Sequence, residues 1–299
     1  MDATTFVGML ADGLAHPQRT PLQRTPDAVG LDYEDVTFET ADGVTLRGWF
    51  LPAASDRLVL CNHFGPANRQ GYPGHLEGYP ASNGVEVDFL PRYKALHDAG
   101  YNVLCYDLRA HGESDDDPSG VSGVGLLEWQ DVLAALAYAR SRTDTAGHEI
   151  HLQSMCLGCN ATLVAMRKAP EAFASIRSFL AIHPVIGRSL IDRTCAQLGI
   201  AEGASLFEPV FHAMTGFHVD EYDMLPYADD VRVPTLVVQV HDDPVTDPGD
   251  IQGFYDRIPG DDKALFWIEG TAIRHDGYNH FSQHPERMLA WHQAHSAAR

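Results

Sequence analysis

The residue best placed to do chemistry is Cys156, where an alternating apolar run (residues 149–155) stops and a helical pattern begins within HLQSMCLGCNAT, residues 151–162. A strand that bends sharply into a helix leaves no room for large side chains two residues before and after the apex. Ser154 and Gly158 fill those places with small ones. A sulfur at such an apex faces the unpaired amides and the positive end of the helix dipole, which favour a thiolate and hence a nucleophile. The same residues also suit a buried structural cysteine that opens an ordinary helix, since free cysteine is among the most buried residue types.

The elements that would carry this apex alternate along the chain. An amphipathic stretch at residues 5–14 and a connector rich in Pro, Arg and Thr make residues 1–30 an arm, packed on the domain or on a second subunit. Residues 35–40 and 44–51 alternate around Ala41-Asp42-Gly43 and predict a hairpin. RLVLCN (57–62), YNVLCYDL (101–108), residues 176–182, PTLVVQV (234–240) and residues 264–268 read as buried strands, with helices at 88–99, 126–142, 250–258 and from Pro285. The stretch 65–87, rich in Gly, Pro (Pro66, Pro73, Pro80) and Tyr, has no helical period and reads as a long functional or mobile loop. Strands alternating with helices imply right-handed crossovers and a mostly parallel sheet. Between Val185 and Asp230 the apolar spacing changes to that of short helices, which predicts an insertion over the carboxyl edge of the sheet.

Composition narrows the partners. A net charge of −20 offers no basic stripe for phosphates, so neither nucleic acid nor an anionic membrane is expected as a partner. No run of 18 or more apolar residues occurs and the first residues lack a basic stretch before an apolar core, so neither a membrane span nor a secretory signal is expected. Five cysteines at irregular spacing predict a reduced, cytoplasmic protein. Among the 16 histidines, His280 and His284 stand four apart, but Pro285 follows at once and disfavours a helical two-histidine face. No metal and no cofactor is expected.

In the order of its elements and in the elbow SMCLGC, the chain over roughly residues 33–298 resembles the α/β-hydrolase superfamily, and the cysteine elbow is similar to that of dienelactone hydrolases. Ser154 stands where the superfamily has its first glycine, and the long insertion departs from dienelactone hydrolases. The resemblance implies an α/β-hydrolase fold with a core of residues 31–184 and 231–299 and a helical lid of residues 185–230. It implies an acid behind the strand that follows the lid: Asp243 fits best, just before Pro244-Val245, with Asp242 as the fallback. The base follows the last strand. His275 ranks first because it lies close behind that strand, His280 (followed by Phe281) is the alternative, and His284 is read as the start of the last helix. The oxyanion donors would be the amides of Leu157 and Phe64, with His63 where glycine is usual. Asp107 and Arg109 are read as structural, holding their turn.

These implications predict covalent acyl transfer through a Cys156–His–Asp243 triad on an activated ester, lactone or thioester of a mainly apolar small molecule. Acyl transfer or cyclisation on the same triad is the alternative, as is a silent ligand-binding member of the fold. A homodimer is compatible with the arm.

Overall fold

The computed structural model describes residues 2–79, 82 and 84–297; Pro80 of the long loop and the outermost ends of the arm and the core, Met1 and residues 298–299, lie outside the described residues. In chain order the elements are α1 (Ala3–Ala15), β1 (Glu34–Glu39), β2 (Thr45–Leu51), β3 (Arg57–Asn62), β4 (Gly71–Pro73), β5 (Glu86–Asp88), α2 (Leu90–Asp98), β6 (Asn102–Tyr106), α3 (Trp129–Ser141), β7 (Glu149–Met155), α4 (Leu157–Lys168), β8 (Ile176–Ile182), α5 (Gly187–Ala196), α6 (Gly203–Thr215), β9 (Thr235–Val240), α7 (Pro248–Arg257), β10 (Lys263–Ile268), α8 (Arg274–Gln283) and α9 (Glu286–Ala294).

Eight strands form one sheet in the order β1-β2-β6-β3-β7-β8-β9-β10. β1 and β2 pair antiparallel, β2 pairs antiparallel with β6, and the remaining pairs are parallel. The central strands β6, β7, β8 and β9 are buried almost throughout, as strands covered by helices on both faces must be. One face packs on α3, α4 and α7 through Val132, Leu136, Val164 and Phe254; the other packs on α2, α8 and α9 through Leu90, Tyr93, Phe281 and Met288. Each fully buried side chain of this size contributes about 1.5–3 kcal/mol.

A third apolar cluster lies between β8 and β9 in sequence: Ile191, Cys195, Phe207 and Phe211 of α5 and α6 pack with Val7, Ala11 and Ala15 of α1 and with Val121 and Val124. The first residues therefore fold back on their own chain. Arg19 donates to the carbonyls of Gly112 (2.8 Å) and Ser114 (2.7 Å), and the Gln70 side chain accepts from the amides of Gln23 (2.6 Å) and Arg24 (3.1 Å).

Two features differ from the sequence expectation. The loop at 65–87 contains the short antiparallel pair β4–β5. The segment behind β10, expected to be a loop that delivers a histidine, is the helix α8. Gly277 and a run of polar residues hide it from any periodicity, because its stability comes from docking and not from propensity.

Candidate active site

The apex residue Cys156 has φ 48° and ψ −111° between the end of β7 and the first turn of α4. For a side chain with a Cβ this is strained backbone, of the kind that persists where surrounding contacts over-determine it. Those contacts are explicit. The Cys156 amide donates to the Ile182 carbonyl (2.9 Å), its own carbonyl accepts from Asn160 N (2.9 Å), and Gly158 N donates to the His63 carbonyl (3.1 Å). A Cβ at Gly158 would stand 2.6 Å from that carbonyl oxygen, so the helix and the β3 loop can approach this closely only with glycine here. Ser154 does more than stay small: its hydroxyl pairs with Thr162 Oγ1 (2.8 Å) and accepts from Asn62 Nδ2 (2.8 Å), tying β3, β7 and α4 together. Of the five cysteines only Cys156 is not fully buried. Burial pushes the Cys61 thiol up to about 11 and the Cys159 thiol well above its usual value, which leaves both unreactive.

The loop after β3 is held by His63. Leu108 N donates to its Nε2 (2.9 Å), so Nδ1 carries the proton and donates to the Phe64 carbonyl (2.9 Å). Burial, helped by neighbouring His111, pushes the imidazole down to about 3 and keeps it neutral. The amides of Phe64 and Leu157 donate to nothing among the described residues.

Asp243 lies just behind β9, almost fully buried. Its carboxylate accepts from Gln239 Nε2 (3.0 Å), Thr246 Oγ1 (2.8 Å), Val245 N (3.1 Å) and the Arg274 guanidinium. Burial, the largest single influence, would raise its pKa, but Arg274, His183 and the hydrogen bonds from Val245 N and Thr246 together outweigh it and hold the carboxyl below the ordinary range. Asp242 faces solvent and pairs with His241 Nδ1 at 2.7 Å.

The candidate histidines separate on α8. His275 stands in the first turn with its ring 5.8 Å from Phe64, 5.5 Å from Tyr278 and 6.4 Å from Tyr72. His280 is turned roughly 140° around the helix from it. It packs on Phe266 and His284, in an open cleft along β10 and away from the Phe64 loop. His284 ends α8 and does not begin the last helix. One expectation needs correction: Asp243 makes no hydrogen bond to His275 among the described residues, because Arg274, one residue earlier on the same helix, takes the carboxylate. The acid reaches His275 through its charge alone. Burial and the Arg274 charge, opposed by Asp243, bring the His275 imidazole down to about 4.

Sequence reasoning missed three residues here. Arg274 donates to Asp243, Thr246 Oγ1 (2.9 Å), the His183 carbonyl (3.1 Å) and Tyr278 Oη (2.8 Å). Tyr278 stacks on Phe64 at 4.0 Å and 9°. His183, at φ 53°, follows the residue that accepts the Cys156 amide, and its Nδ1 lies 4.0 Å from Asp243. The i, i+4 spacing of Arg274 and Tyr278 and the position of His183 at the end of a strand beside the nucleophile were the available signals. Among the described residues no group of three or more His, Cys, Asp or Glu is placed to hold a metal ion, and no helix is long and apolar enough to cross a membrane.

A mostly parallel sheet of eight strands with a strained strand-to-helix apex at Cys156 defines the α/β-hydrolase fold. The Pyrococcus furiosus esterase Pf2001 has the same fold, with a TM-score of 0.70 and 20% identity over 95% of this chain and 99% of that one. No family model matches the sequence. The uncharacterized protein YfhR of Salmonella typhi is 31% identical over 223 residues, 68% of this chain and 69% of that protein, and the chain belongs to the YfhR family. The polyketide transferase GrgF of Penicillium sp. is 30% identical over 158 residues, 52% of this chain and 46% of that protein.

Proposed function

We propose that this protein is a hydrolase that cleaves an activated ester, lactone or thioester of a mainly apolar small molecule through a covalent acyl-enzyme on Cys156. The observation that carries the reading is the strained, half-buried Cys156 at the head of α4, set beside the free amides of Phe64 and Leu157. The resemblance of the elbow to dienelactone hydrolases and the esterase of the same fold support it. The Cys156 proton passes to His275 as sulfur bonds to the substrate carbonyl carbon, and the carbonyl π pair moves onto oxygen, where the two amides stabilise it by roughly 3 kcal/mol each. Collapse expels the alcohol or thiol, which takes the proton from the imidazolium. Water, deprotonated by His275, then releases the acid and restores the thiol. The Asp243 charge stabilises the imidazolium, and Arg274 fixes that charge in place.

Residues 185–230 would serve as the lid and residues 1–30 as the arm that backs it, in line with the packing of α5 and α6 on α1. A second reading, transfer of the acyl group to an acceptor other than water, is favoured by the likeness to the polyketide transferase GrgF. The five free thiols support a reducing, cytoplasmic setting.

Intact-mass measurement after brief exposure to p-nitrophenyl esters and thioesters tests the proposal. An acyl adduct is expected on the wild type and none on Cys156→Ala. Turnover that survives Cys156→Ala would refute it.

A further inference from the structure

The arm and the lid do not close completely on each other. Leu14 of α1, Leu190 and Ile191 of α5, Phe207 and Phe211 of α6 and the ring of Tyr222 enclose a cavity of about 30 Å³ whose wall is wholly apolar. Val124 and Val185 form its wall on the side of the core. Both are tied to the first turn of α4. Asn160, fully buried, accepts from Val185 N at Oδ1 (3.1 Å) and donates from Nδ2 to the Val124 carbonyl (3.4 Å), while its own amide donates to the carbonyl of Cys156 (2.9 Å). The cavity therefore adjoins the helical turn that begins at the nucleophile. Val124 is held at φ 47°, where a β-branched residue is a genuine outlier, and such strain persists only where the surroundings over-determine it. Here the buried carboxylate of Glu128 accepts from Ser122 Oγ (2.7 Å), Gly123 N (3.0 Å) and Gly125 N (2.6 Å). A Cβ at Gly125 would stand 2.6 Å from Asn160 Cβ, and one at Gly187 would stand 2.6 Å from Tyr222 Cβ, so glycine lets the backbone close on α4 at one end and on the lid at the other. A chance packing gap needs no such bracing.

We propose that this cavity is the acyl subsite and that it selects a short aliphatic acyl group of about two to four carbons, with the arm supplying part of the wall through Leu14. The inference rests on the acyl-enzyme reading of Cys156. The acyl group stays bonded to sulfur until water releases it, so it gains from an enclosed apolar wall, whereas the leaving alcohol must reach solvent. An apolar cavity stays dry until a ligand fills it, and one of about 150 Å³ accepts a benzene-sized ligand. At about 30 Å³ this one is too small for a ring and suits a short chain. The stacked rings of Phe207 and Phe211, 4.8 Å apart, form the lid-side wall that a longer chain would meet. Each methylene that enters is worth about fourfold in kcat/KM. Each one beyond the wall must displace packed side chains, which reverses the gain.

Steady-state kinetics on p-nitrophenyl acetate, butyrate, hexanoate and octanoate test this, read as ratios of kcat/KM so that any change in the amount of folded protein cancels. The wild type is expected to prefer butyrate to acetate by about 10-fold, and butyrate to octanoate by at least about 10-fold. Leu190→Phe, which fills the cavity, should lower the butyrate-to-acetate ratio by about 10-fold, and Phe211→Leu, which widens it, should raise the hexanoate-to-butyrate ratio by a similar factor. Octanoate turned over as well as butyrate by the wild type would overturn the proposal. So would ratios that stay at wild-type values in both variants, since the cavity would then be a packing gap beneath the lid. Cys156→Ala, assayed alongside, separates the two ideas: turnover that survives it removes the acyl-enzyme reading, whereas its loss together with ratios unmoved by Leu190→Phe and Phe211→Leu removes only the subsite.

Discussion

Five residues of separation give His275 and His280 opposite surroundings, one turned to the aromatic wall of the site and the other to the cleft along β10. His275→Ala is expected to lower kcat/KM by 1000-fold or more, on the order of losing the base of a triad, whereas His280→Ala should stay within a few-fold of wild type. Esterase kinetics on both variants would decide this, and the reverse ranking would reinstate His280. The pH profile follows from the same residue. A base must be neutral to act, and burial with Arg274 brings His275 down to about 4, so activity should persist below pH 6 and be lost as pH falls through about 4. An acid limb of kcat/KM centred near the ordinary histidine value of about 6.5 would contradict this environment.

At the level of the element, α8 presents Arg274, His275 and Tyr278 together, and its depth is set by one contact. Gly277 lies against His183, where a Cβ would stand 2.3 Å from the ring's Nε2 and 2.8 Å from a methyl of Val240. His183 is buried and neither ring nitrogen has a hydrogen-bond partner among the described residues, an arrangement that costs stability and serves here as the seat for the helix. Gly277→Ala should therefore displace α8, lower stability by about 1–3 kcal/mol as other overpacked sites do, and reduce turnover by more than the loss of folded protein accounts for. Urea denaturation paired with kinetics would show it. A variant that kept wild-type turnover would mean that α8 tolerates the displacement.

Across the whole molecule, several histidines are buried as neutral groups. Gln153 donates to His292 Nε2 (2.9 Å), so His292 Nδ1 donates to Ser178 (2.8 Å), whose hydroxyl donates to His151 Nδ1 (2.8 Å); this chain joins α9 to the sheet. Burial pushes His151 down to about 3 and His292 well below its usual value, and His63 also stands at about 3. Below about pH 6.5 the unfolded chain takes up protons that the folded chain refuses, so stability is full above that pH and falls toward pH 3, at up to about 1.4 kcal/mol per pH unit for each histidine. Asp131, raised by burial to about 7, and Asp88 and Asp107, also raised by burial, oppose this trend, but burial likewise depresses His111, His183, His275 and His280, so the histidines outnumber them. Thermal melts between pH 7 and 4.5 should show a falling midpoint, with a shallower slope in His292→Gln; a midpoint that rises on acidification would show that these histidines do not govern stability.

The strand pattern of residues 149–155, with Ser154 and Gly158 flanking Cys156, was enough to predict the apex, because the steric demand of a sharp strand-to-helix turn is local and is written in small residues. The alternation of strands and helices was enough for the sheet, since parallel strands buried on both faces leave uninterrupted apolar runs. Asp243 was legible by its place behind β9, but its partner was not. Whether the carboxylate meets His275 or Arg274 depends on how α8 docks, and that is fixed by Gly277 against His183, residues 94 positions apart along the chain that meet only in the folded molecule. Tyr278 escaped notice for the same reason: an aromatic residue on a short polar helix has no local signature. Its stack on Phe64 arises from packing between α8 and the loop after β3, which no sequence period records.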